Sequence, residues 1–534
     1  MSKRFQRGLW WVKRDFRLDD NDALRAAIDQ CEYVNALFIV EPSLCKAQET
    51  SLFHYRAWQQ AAEHLGSRLQ KAGGVLHVIC GEAVDVLDTL KRTTGFDALF
   101  SHEETGSNVT FTRDLAVKRW AARNRIHWQQ EHQNGVIRGL TDRDKRQPVI
   151  RERLMGTPPS AAPVSINGWP LDTAAGEPAN TDSKQWPAFE TLSGRASDPR
   201  IRLTDTQTIT EEHASDVLHD FLNYRGIAYS GGISSPNTAF DAGSRLSAHL
   251  AWGTISLRRV FHATRERERE LAKSSAPDVW QWRKSLKAFQ SRLHWHDHFI
   301  QRLESAPSME FEALNPAYKD LGYGDNQQLL DAWQNGQTGL PLIDASMRCL
   351  AATGFLNFRM RAMVVSTGCF GMAQSWKSLY YPLARLFLDY EPGIHFSQIQ
   401  MQAGIVGINT LRVYSPLKQL LDQDPQAIFV KRWIPELREF DATEIAQYNQ
   451  RILGDYPEPA TDFDANTRII RDQVYTIRKS PEGIEASAVV LEKHGSRLPG
   501  NDRNGRRRST AGRSQKKATT KPLNDSQMRL DFDD

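Results

Sequence analysis

The chain has 534 residues, of which 40% are hydrophobic and 25% are charged, and its formal net charge is +4. This length exceeds what one hydrophobic core usually serves, so we expect two domains of ordinary globular composition. No apolar run is long enough to span a bilayer, and the N-terminus has no signal-peptide core. We therefore expect a cytoplasmic protein without a membrane anchor, acting as a monomer.

The five cysteines stand at positions 31, 45, 80, 349 and 369. Their number is odd, and no two of them have CxxC spacing. This pattern favours reduced thiols over a disulfide framework or a zinc knuckle, and no metal site is predicted.

Short apolar runs alternate with helix-like segments over the first 134 residues. The predicted strands cover residues 8–12, 34–40, 75–79 and 98–100, and the predicted helices include residues 53–71 and 84–93. This alternation is typical of an α/β domain with a doubly wound parallel sheet, which we assign to residues 1–134. No GxGxxG motif follows the first strand, so no dinucleotide cradle is predicted there.

The remaining chain changes composition twice. Residues 135–208 are predicted to be an inter-domain connector, and residues 209–490 an all-α domain. Its predicted helices include residues 249–266, 278–303, 327–335 and 342–370. Residues 491–534 are polar and basic, with a single acid, Asp502, between residues 493 and 521. Such a segment cannot bury enough apolar surface to fold, so a disordered tail is predicted.

Three segments of the helical domain carry the residues that suggest chemistry. Residues 241–256 place glycine and serine at a helix start, where N–H groups and the helix dipole favour an anion. Alone, this segment would indicate an N-cap before a buried helix. Residues 353–363 carry two arginines on a mostly apolar helix, and residues 389–395 form an acidic turn. Together with residues 14–18, these segments resemble the cryptochrome/photolyase family in order and spacing, and we expect a bacterial member.

The resemblance implies that the helical domain binds FAD. The residues that would contact the FAD phosphates and ribose are Tyr229, Gly243, Ser244, Arg245, Leu246 and Ser247, and those lining the flavin ring are Asp389, Tyr390 and Glu391. Arg361 would pair with Asp389, since either charge alone would be costly in a partly buried site. His395 would face flavin N5, where repair enzymes usually carry Asn. The alternatives are a purely structural ion pair and a core histidine.

The lesion pocket departs from the repair enzymes of the family. The glutamate that touches flavin and cyclobutane dimer is replaced by Arg292, and the lesion-holding asparagine by Phe358. Of two clamping tryptophans, Trp295 is present and the other falls at Met401. The histidine pair of animal (6-4) repair enzymes would fall at Phe358 and Ala362, so it is absent as well.

A cationic and aromatic pocket nevertheless remains. Its residues are Arg292, Trp295, His296, His298, Asn357 and Arg359. A flipped base needs a stacking surface and flanking phosphates need cations, so these residues predict contacts to UV-damaged DNA. The same residue types would suit another anionic ligand, and Arg292 could instead lie on a solvated helix face. The catalytic candidates are His395, Arg361, Asp389 and Trp295.

Other family features are incomplete. The usual three-residue electron route falls at Ile399, Trp376 and Tyr323, so the aromatic residue nearest the flavin is missing. We assign electron transfer to Trp376 and Tyr323 and leave the route open. The acidic residue that supports a folate antenna falls near Gly106, so a second chromophore is unassigned. Only two cysteines lie in the helical domain, which excludes the four-cysteine iron–sulfur cluster of some relatives.

The end of the tail resembles the hexapeptide by which bacterial repair proteins bind the sliding clamp, through Gln527, Met528, Leu530 and Phe532. The alternative is a chance match in a low-complexity segment. The whole resemblance implies a blue-light-dependent FAD flavoprotein. We predict a DNA photolyase that repairs UV pyrimidine lesions by electron transfer from reduced flavin. The alternative is a cryptochrome-type photoreceptor without repair activity.

Overall fold

The computed structural model describes residues 3–169 and 186–495. The N-terminal part forms a five-stranded sheet of order β3-β2-β1-β4-β5, in which every neighbouring pair is parallel. The strands are β1 (Phe5–Val12), β2 (Cys31–Val40), β3 (Leu76–Cys80), β4 (Ala98–His102) and β5 (His127–Glu131). The helices between them are α1 (Asp22–Gln30), α2 (Pro42–Lys46), α3 (Leu52–Lys71), α4 (Ala83–Thr94) and α5 (Asn108–Arg123). The predicted doubly wound fold is confirmed.

The central strands are apolar on both faces because helices cover both sides of the sheet. Trp10 and Trp11 are both buried, but Trp10 packs into one hydrophobic cluster with Phe38 and Trp11 into another with Leu37. Strand β5 was not predicted from the sequence. Its five residues are all half-buried at the edge of the sheet, so they form no apolar run.

The connector contains short helical segments in its described parts. They are Arg143–Lys145, α6 (Arg146–Arg151), the π-helical Glu152–Gly156, α7 (Phe189–Ser193) and Leu203–Asp205. Ile166, before residues 170–185, and Trp186, directly after them, are both buried in the sheet domain's hydrophobic cluster. The connector therefore packs closely on the first domain.

The C-terminal part is rich in helices, as predicted. Its α-helices are α8 (Glu211–Asn223), α9 (Tyr229–Gly232), α10 (Ala239–Ala242), α11 (Ser247–Trp252), α12 (Leu257–Lys273), α13 (Val279–Ser305), α14 (Gln327–Asn335), α15 (Pro341–Thr353), α16 (Phe358–Ser366), α17 (Trp376–Leu386), α18 (Pro392–Gln402), α19 (Pro416–Gln423), α20 (Ile428–Trp433), α21 (Ala442–Ala446), α22 (Phe463–Lys479) and α23 (Pro481–His494). Short 3₁₀ or π turns lie at Arg225–Ala228, Pro307–Glu310, Pro316–Tyr318, Thr367–Gly371 and Pro435–Leu437.

Two long helices predicted from periodicity are broken by glycines. The predicted helix 249–266 is divided at Gly253 (φ +67°), where a β-carbon would lie 1.9 Å from the Arg14 carbonyl oxygen of the first domain. The predicted helix 342–370 is divided at Gly354 (φ +71°), where a β-carbon would lie 2.8 Å from that of Leu388. Both breaks are positions of left-handed backbone where another chain segment approaches closely.

The predicted start of the tail at residue 491 is also slightly early, because helix α23 continues to His494. The tail beyond residue 495, with the clamp-like residues Gln527, Met528, Leu530 and Phe532, lies outside the described residues. None of the helices in the described part of the chain is long and apolar enough to cross a membrane.

Candidate functional site

A cavity of about 320 Å³ lies inside the helical domain, between the start of α11, the middle of α13, and helices α16 and α18. It gathers most of the residues predicted from the sequence, although they come from segments far apart in the chain. The predicted residues that line it are Tyr229, Gly243, Ser244, Arg245, Leu246, Ser247, Arg292, Trp295, His296, Asn357, Arg361, Asp389, Tyr390, Glu391 and His395.

Arg361 and Asp389 form an ion pair in the cavity wall. The Nη2 group of Arg361 donates to both carboxylate oxygens of Asp389, at 2.8 and 2.6 Å. Its Nε donates to the Leu356 carbonyl at 2.9 Å, and the guanidinium lies 4.0 Å from the ring centroid of Phe387. The pairing predicted from the sequence is therefore present in the geometry. Phe387 was not predicted as part of the site, because only the fold brings it beside Arg361.

Arg245 presents an unsatisfied cation to the cavity. Its backbone is left-handed (φ +61°), and its guanidinium lies 3.7 Å from the Phe355 ring centroid and 5.1 Å from that of Phe240. Burial lowers its pKa to about 10. Within the part of the chain that the structure describes, its buried Nη1 has no hydrogen-bond partner. A buried donor of this kind calls for an acceptor, and an anion beside Ser244 would supply one.

The acidic turn is tied to the sheet domain by Arg14, which follows strand β1. Arg14 donates Nη2 to the Tyr390 carbonyl at 2.5 Å and approaches Glu391 with Nη1 at 3.4 Å. The guanidinium also lies 4.8 Å from the Trp252 ring centroid. Burial raises the pKa of Glu391 above its ordinary value. In the sequence, Arg14 carries only the family resemblance, and in the structure it supports the acidic turn that is predicted to line the flavin ring.

His395 is buried in the cavity wall with one ring nitrogen already bonded. Its Nε2 lies 2.9 Å from the Tyr380 carbonyl, which can only accept, so Nε2 carries the proton. Burial lowers the pKa of His395 to about 4. The neutral ring therefore keeps Nδ1 as an acceptor. At the position predicted to face flavin N5, the neutral imidazole can therefore accept a hydrogen bond at Nδ1 but cannot donate one.

The side of the cavity formed by helix α13 is aromatic and cationic. Burial raises the pKa of Tyr229 to about 12, and Arg292 hydrogen-bonds to this hydroxyl. The Arg292 guanidinium also lies 5.9 Å from the Phe358 ring centroid. Arg292 is therefore not on a purely solvated helix face. Trp295 stacks on Phe299 with ring centroids 5.6 Å apart.

Two predicted pocket residues do not line the cavity. His298 is turned into a buried cationic cluster, where Arg143 lies 2.9 Å from Nδ1 and Arg302 lies 3.4 Å from Nε2. Arg359 approaches the Ser234 hydroxyl at 3.4 Å instead. Asn357 does line the cavity, but its amide donates to two backbone carbonyls and so holds a loop. Whether any of them contacts DNA stays a prediction.

The predicted electron-transfer residues lie behind the cavity. Ring contacts lead from His395 to Tyr380 (6.0 Å) and from Tyr380 to Trp376 (5.0 Å). Tyr380 was not predicted, and its ring lies between those of His395 and Trp376, whereas Ile399 is not aromatic. Tyr323 donates its hydroxyl to the Ala403 carbonyl at 3.1 Å, and among residues 3–169 and 186–495 no ring contact joins it to Trp376.

A smaller cavity of about 70 Å³ lies at the carboxyl ends of the strands, where Gly106 and, from the helical domain, Trp252 and Tyr390 line it. Arg113 in its wall contacts Glu41 at 3.1 Å and Glu104 at 2.5 Å. The second chromophore stays unassigned.

The large cavity fits FAD on its own chemistry. The unsatisfied Arg245 donor and Ser244 suit a pyrophosphate, and the apolar walls suit a planar ring system. The Arg361–Asp389 pair offers hydrogen-bonding groups to ring edges without an unbalanced buried charge.

Comparison with known proteins agrees with this assignment. Residues 289–476 match the family model described as the FAD binding domain of DNA photolyase, and residues 8–147 match the model described as DNA photolyase. The chain is 32% identical over 477 residues to a tomato (Solanum lycopersicum) chloroplastic/mitochondrial cryptochrome DASH, covering 82% of this chain and 79% of the relative. It is 28% identical over 450 residues to a deoxyribodipyrimidine photo-lyase of Agrobacterium fabrum, covering 81% of this chain and 87% of that protein.

Solved structures show the same fold. A bacterial class III photolyase from Agrobacterium tumefaciens superposes with a TM-score of 0.74 at 22% identity, over 90% of this chain and 99% of that one. An archaeal photolyase from Sulfolobus tokodaii, solved with two FAD molecules, superposes with a TM-score of 0.71 at 22% identity, over 88% of this chain and 100% of that one. With its sheet domain, its FAD-binding helical domain and these relatives, the chain belongs to the cryptochrome/photolyase family.

Proposed function

We propose that this protein is a DNA photolyase that uses blue light and reduced FAD to repair UV pyrimidine lesions. The observation that supports this most is the composition of the cavity on the side of helix α13. Arg292, Trp295 and His296 are only partly buried, so the cavity reaches the surface there. An opening with an aromatic face and cations beside a flavin suits a flipped base with its phosphates.

Each of these residues has a separate task in the proposal. Trp295, held by its stack on Phe299, offers a face to the extruded base. Arg292, oriented by the Tyr229 hydroxyl, places a cation beside the lesion or its phosphate. His296 adds a hydrogen-bonding group at the same opening and lies 3.2 Å from Asp297.

The other residues hold the cofactor. Arg245 and Ser244 would bind its phosphates, while the Arg361–Asp389 pair and His395 would border its ring. When bound, reduced FAD supplies the light-excited electron that opens the lesion and receives it back after bond cleavage. Because Nε2 of His395 is committed to Tyr380, the neutral imidazole would accept a hydrogen bond at Nδ1 and so favour a protonated ring nitrogen.

The proposal is tested by lesion repair in defined DNA. FAD-loaded, chemically reduced protein is mixed with oligonucleotides carrying a cyclobutane dimer or a (6-4) lesion, illuminated with blue light, and assayed for restored bases. We expect restoration of one lesion in the light and none in the dark. Absence of restoration with both lesions would reject the proposal.

A matched pair of variants separates the effect of a cation in the lesion pocket from the effect of the protein's overall charge on DNA binding. Arg292→Ala should weaken binding to lesion DNA more than it weakens binding to undamaged DNA. Arg283→Ala removes the same charge from the same helix, but nine residues away, which places it on the opposite face. It should bind lesion DNA as the unaltered protein does. Equal losses in both variants would argue against a lesion pocket at Arg292.

A second candidate function is a cryptochrome-type photoreceptor. Arg292 stands where cyclobutane-repairing relatives carry glutamate, and the ring series His395–Tyr380–Trp376 offers a route for flavin photoreduction. For this function, illumination should photoreduce the bound FAD and change protease sensitivity of the tail, with no lesion repaired. The clamp-like peptide favours the enzyme instead. A Leu530→Ala and Phe532→Ala double variant should lose retention on an immobilised bacterial sliding clamp, and unchanged retention would dismiss that partner.

A further inference from the structure

A cavity of about 290 Å³ lies away from the FAD site. Three parts of the protein meet around it: the start of helix α3, the connector near residues 195–201, and the end of helix α17. Neither the flavin nor a lesion in the proposed function makes use of it. Its volume exceeds that of a few water molecules, each of which occupies about 30 Å³ in the liquid.

Three arginines line this cavity, against a single acid. Arg200 is committed to that acid, Asp198, with contacts of 2.5 to 3.2 Å. Arg195 donates to three backbone carbonyls of residues 45–50. Arg385 donates Nη1 to the Gln48 carbonyl at 2.8 Å. Carbonyls orient guanidinium groups but do not neutralise them. Among the cavity-lining residues that the structure describes, no carboxylate forms an ion pair with Arg195 or Arg385, and Asp198 acts on Arg385 only from a longer distance.

The electrostatics of the arginines agree with this count. Burial, followed by the neighbouring Arg195, lowers the pKa of Arg385, and Asp198 offsets only part of this shift. Burial likewise lowers the pKa of Arg195, although Glu49 acts in the opposite direction. Charges that repel each other in a half-buried cavity would gain from an anion between them.

Helix α3 supplies donors to the same cavity. It has 20 residues, and its first residue, Leu52, and its N-cap, Ser51, both line the cavity. Ser51 is only 6% exposed, and its side chain makes no capping bond. Its hydroxyl has no hydrogen-bond partner anywhere in the described ranges 3–169 and 186–495. A buried hydroxyl at the N-terminus of a long helix, in a cavity that two arginines also line, is a donor available to an anion.

We propose that this cavity binds a small phosphate-bearing anion, with the phosphate held by Ser51, the N-terminus of helix α3 and the guanidinium of Arg385. The chemistry is that of a phosphate monoester or of free phosphate. The remaining volume is bordered by the apolar side chains of Phe189, Leu52 and Leu386, which suits an organic group attached to the phosphate. Such a ligand would join the sheet domain, the connector and the helical domain.

The test is calorimetric titration of the full-length, FAD-saturated protein with three probes: inorganic phosphate, AMP and adenosine. We expect saturable binding of a phosphate-bearing probe and none of adenosine. Tighter binding of AMP than of phosphate identifies an organic phosphate as the ligand, whereas equal affinities identify free phosphate. No saturable binding of either phosphate probe, or binding of adenosine alone, would overturn the proposal.

Three variants assign the binding to this cavity. Ser51→Ala removes a hydroxyl that has no hydrogen-bond partner among residues 3–169 and 186–495, so the ligand-free protein should melt at an unchanged temperature while phosphate affinity falls about fivefold. Arg385→Gln should lower the affinity about tenfold or more. Arg123→Gln, at the exposed end of helix α5, removes the same charge elsewhere and should leave the affinity unchanged. Binding that is insensitive to Ser51→Ala and Arg385→Gln would place the anion elsewhere and refute the proposal.

Discussion

The Arg361–Asp389 pair offers the most quantitative test of how the FAD cavity is stabilised. The Asp389 side chain is 5% exposed and that of Arg361 26%, so the carboxylate depends on its partner more than the guanidinium does. Arg361→Met keeps the apolar stem over Phe387 but leaves the buried carboxylate without its hydrogen-bonded partner, so that Arg245 is the remaining cation that acts on it. Removing one partner of a buried pair costs about 3–5 kcal/mol. Asp389→Asn keeps an acceptor for Arg361 and should cost less, about 1–2 kcal/mol.

The double variant separates the pairwise interaction from the cost of burial. At about 3 Å and an effective dielectric constant of about 20, two unit charges attract by about 5 kcal/mol. Part of this attraction only offsets the burial of the two groups, so we expect a coupling free energy of about 2–3 kcal/mol. The double variant should therefore be more stable than the sum of the two single effects predicts.

The assay is equilibrium urea unfolding of the four proteins in excess FAD, followed by far-UV circular dichroism. Arg359→Met is the matched control, because it lies on the same helix but does not line the cavity. Its cost should stay below about 1 kcal/mol. Additive effects of Arg361→Met and Asp389→Asn, or an equal loss in Arg359→Met, would refute the claim that this pair acts as a unit.

Three further outcomes are expected. Burial lowers the pKa of His395 to about 4, so its stabilising effect is complete above the ordinary pKa of 6.5 and is lost as the pH falls towards 4. Between about pH 7 and pH 5, the unaltered protein should therefore lose about 2 kcal/mol more of its unfolding free energy than the His395→Asn variant. The same loss in both proteins would contradict a neutral His395 ring. Gly253→Ala should lower the urea midpoint, because its β-carbon would meet the Arg14 carbonyl at a left-handed position; a neutral effect would mean that the two domains do not dock there. Trp376→Phe should slow photoreduction of bound FAD in a transient-absorption experiment, whereas an unchanged rate would exclude the route through Tyr380 and Trp376.

Much of the architecture could be predicted from the chain alone. The central strands β2, β1 and β4 are apolar on both faces, so they are visible as short apolar runs. The two edge strands differ: β3 still buries Leu76 and Val78 and is visible, whereas β5 has only half-buried, mostly polar residues and is not. Helix periodicity predicted the helical domain but missed the breaks at Gly253 and Gly354. At each glycine the helix ends because a segment that is remote in sequence approaches its backbone closely. Periodicity reports which side of a helix is buried, and not what approaches its end.

The candidate site likewise has features that could be predicted from the sequence and features that only the fold shows. Spacing and family resemblance placed Arg245, Arg361 and Asp389 at a cofactor site, because their residue types already suit an anion and a polar ring. Only the tertiary structure turned His298 away from the FAD cavity, bonded Arg292 to Tyr229 and brought Arg385 and Ser51 to the wall of one cavity. These outcomes depend on which helices pack together. Local sequence therefore determined the kinds of groups that this protein carries, and packing between distant segments decided which of them meet.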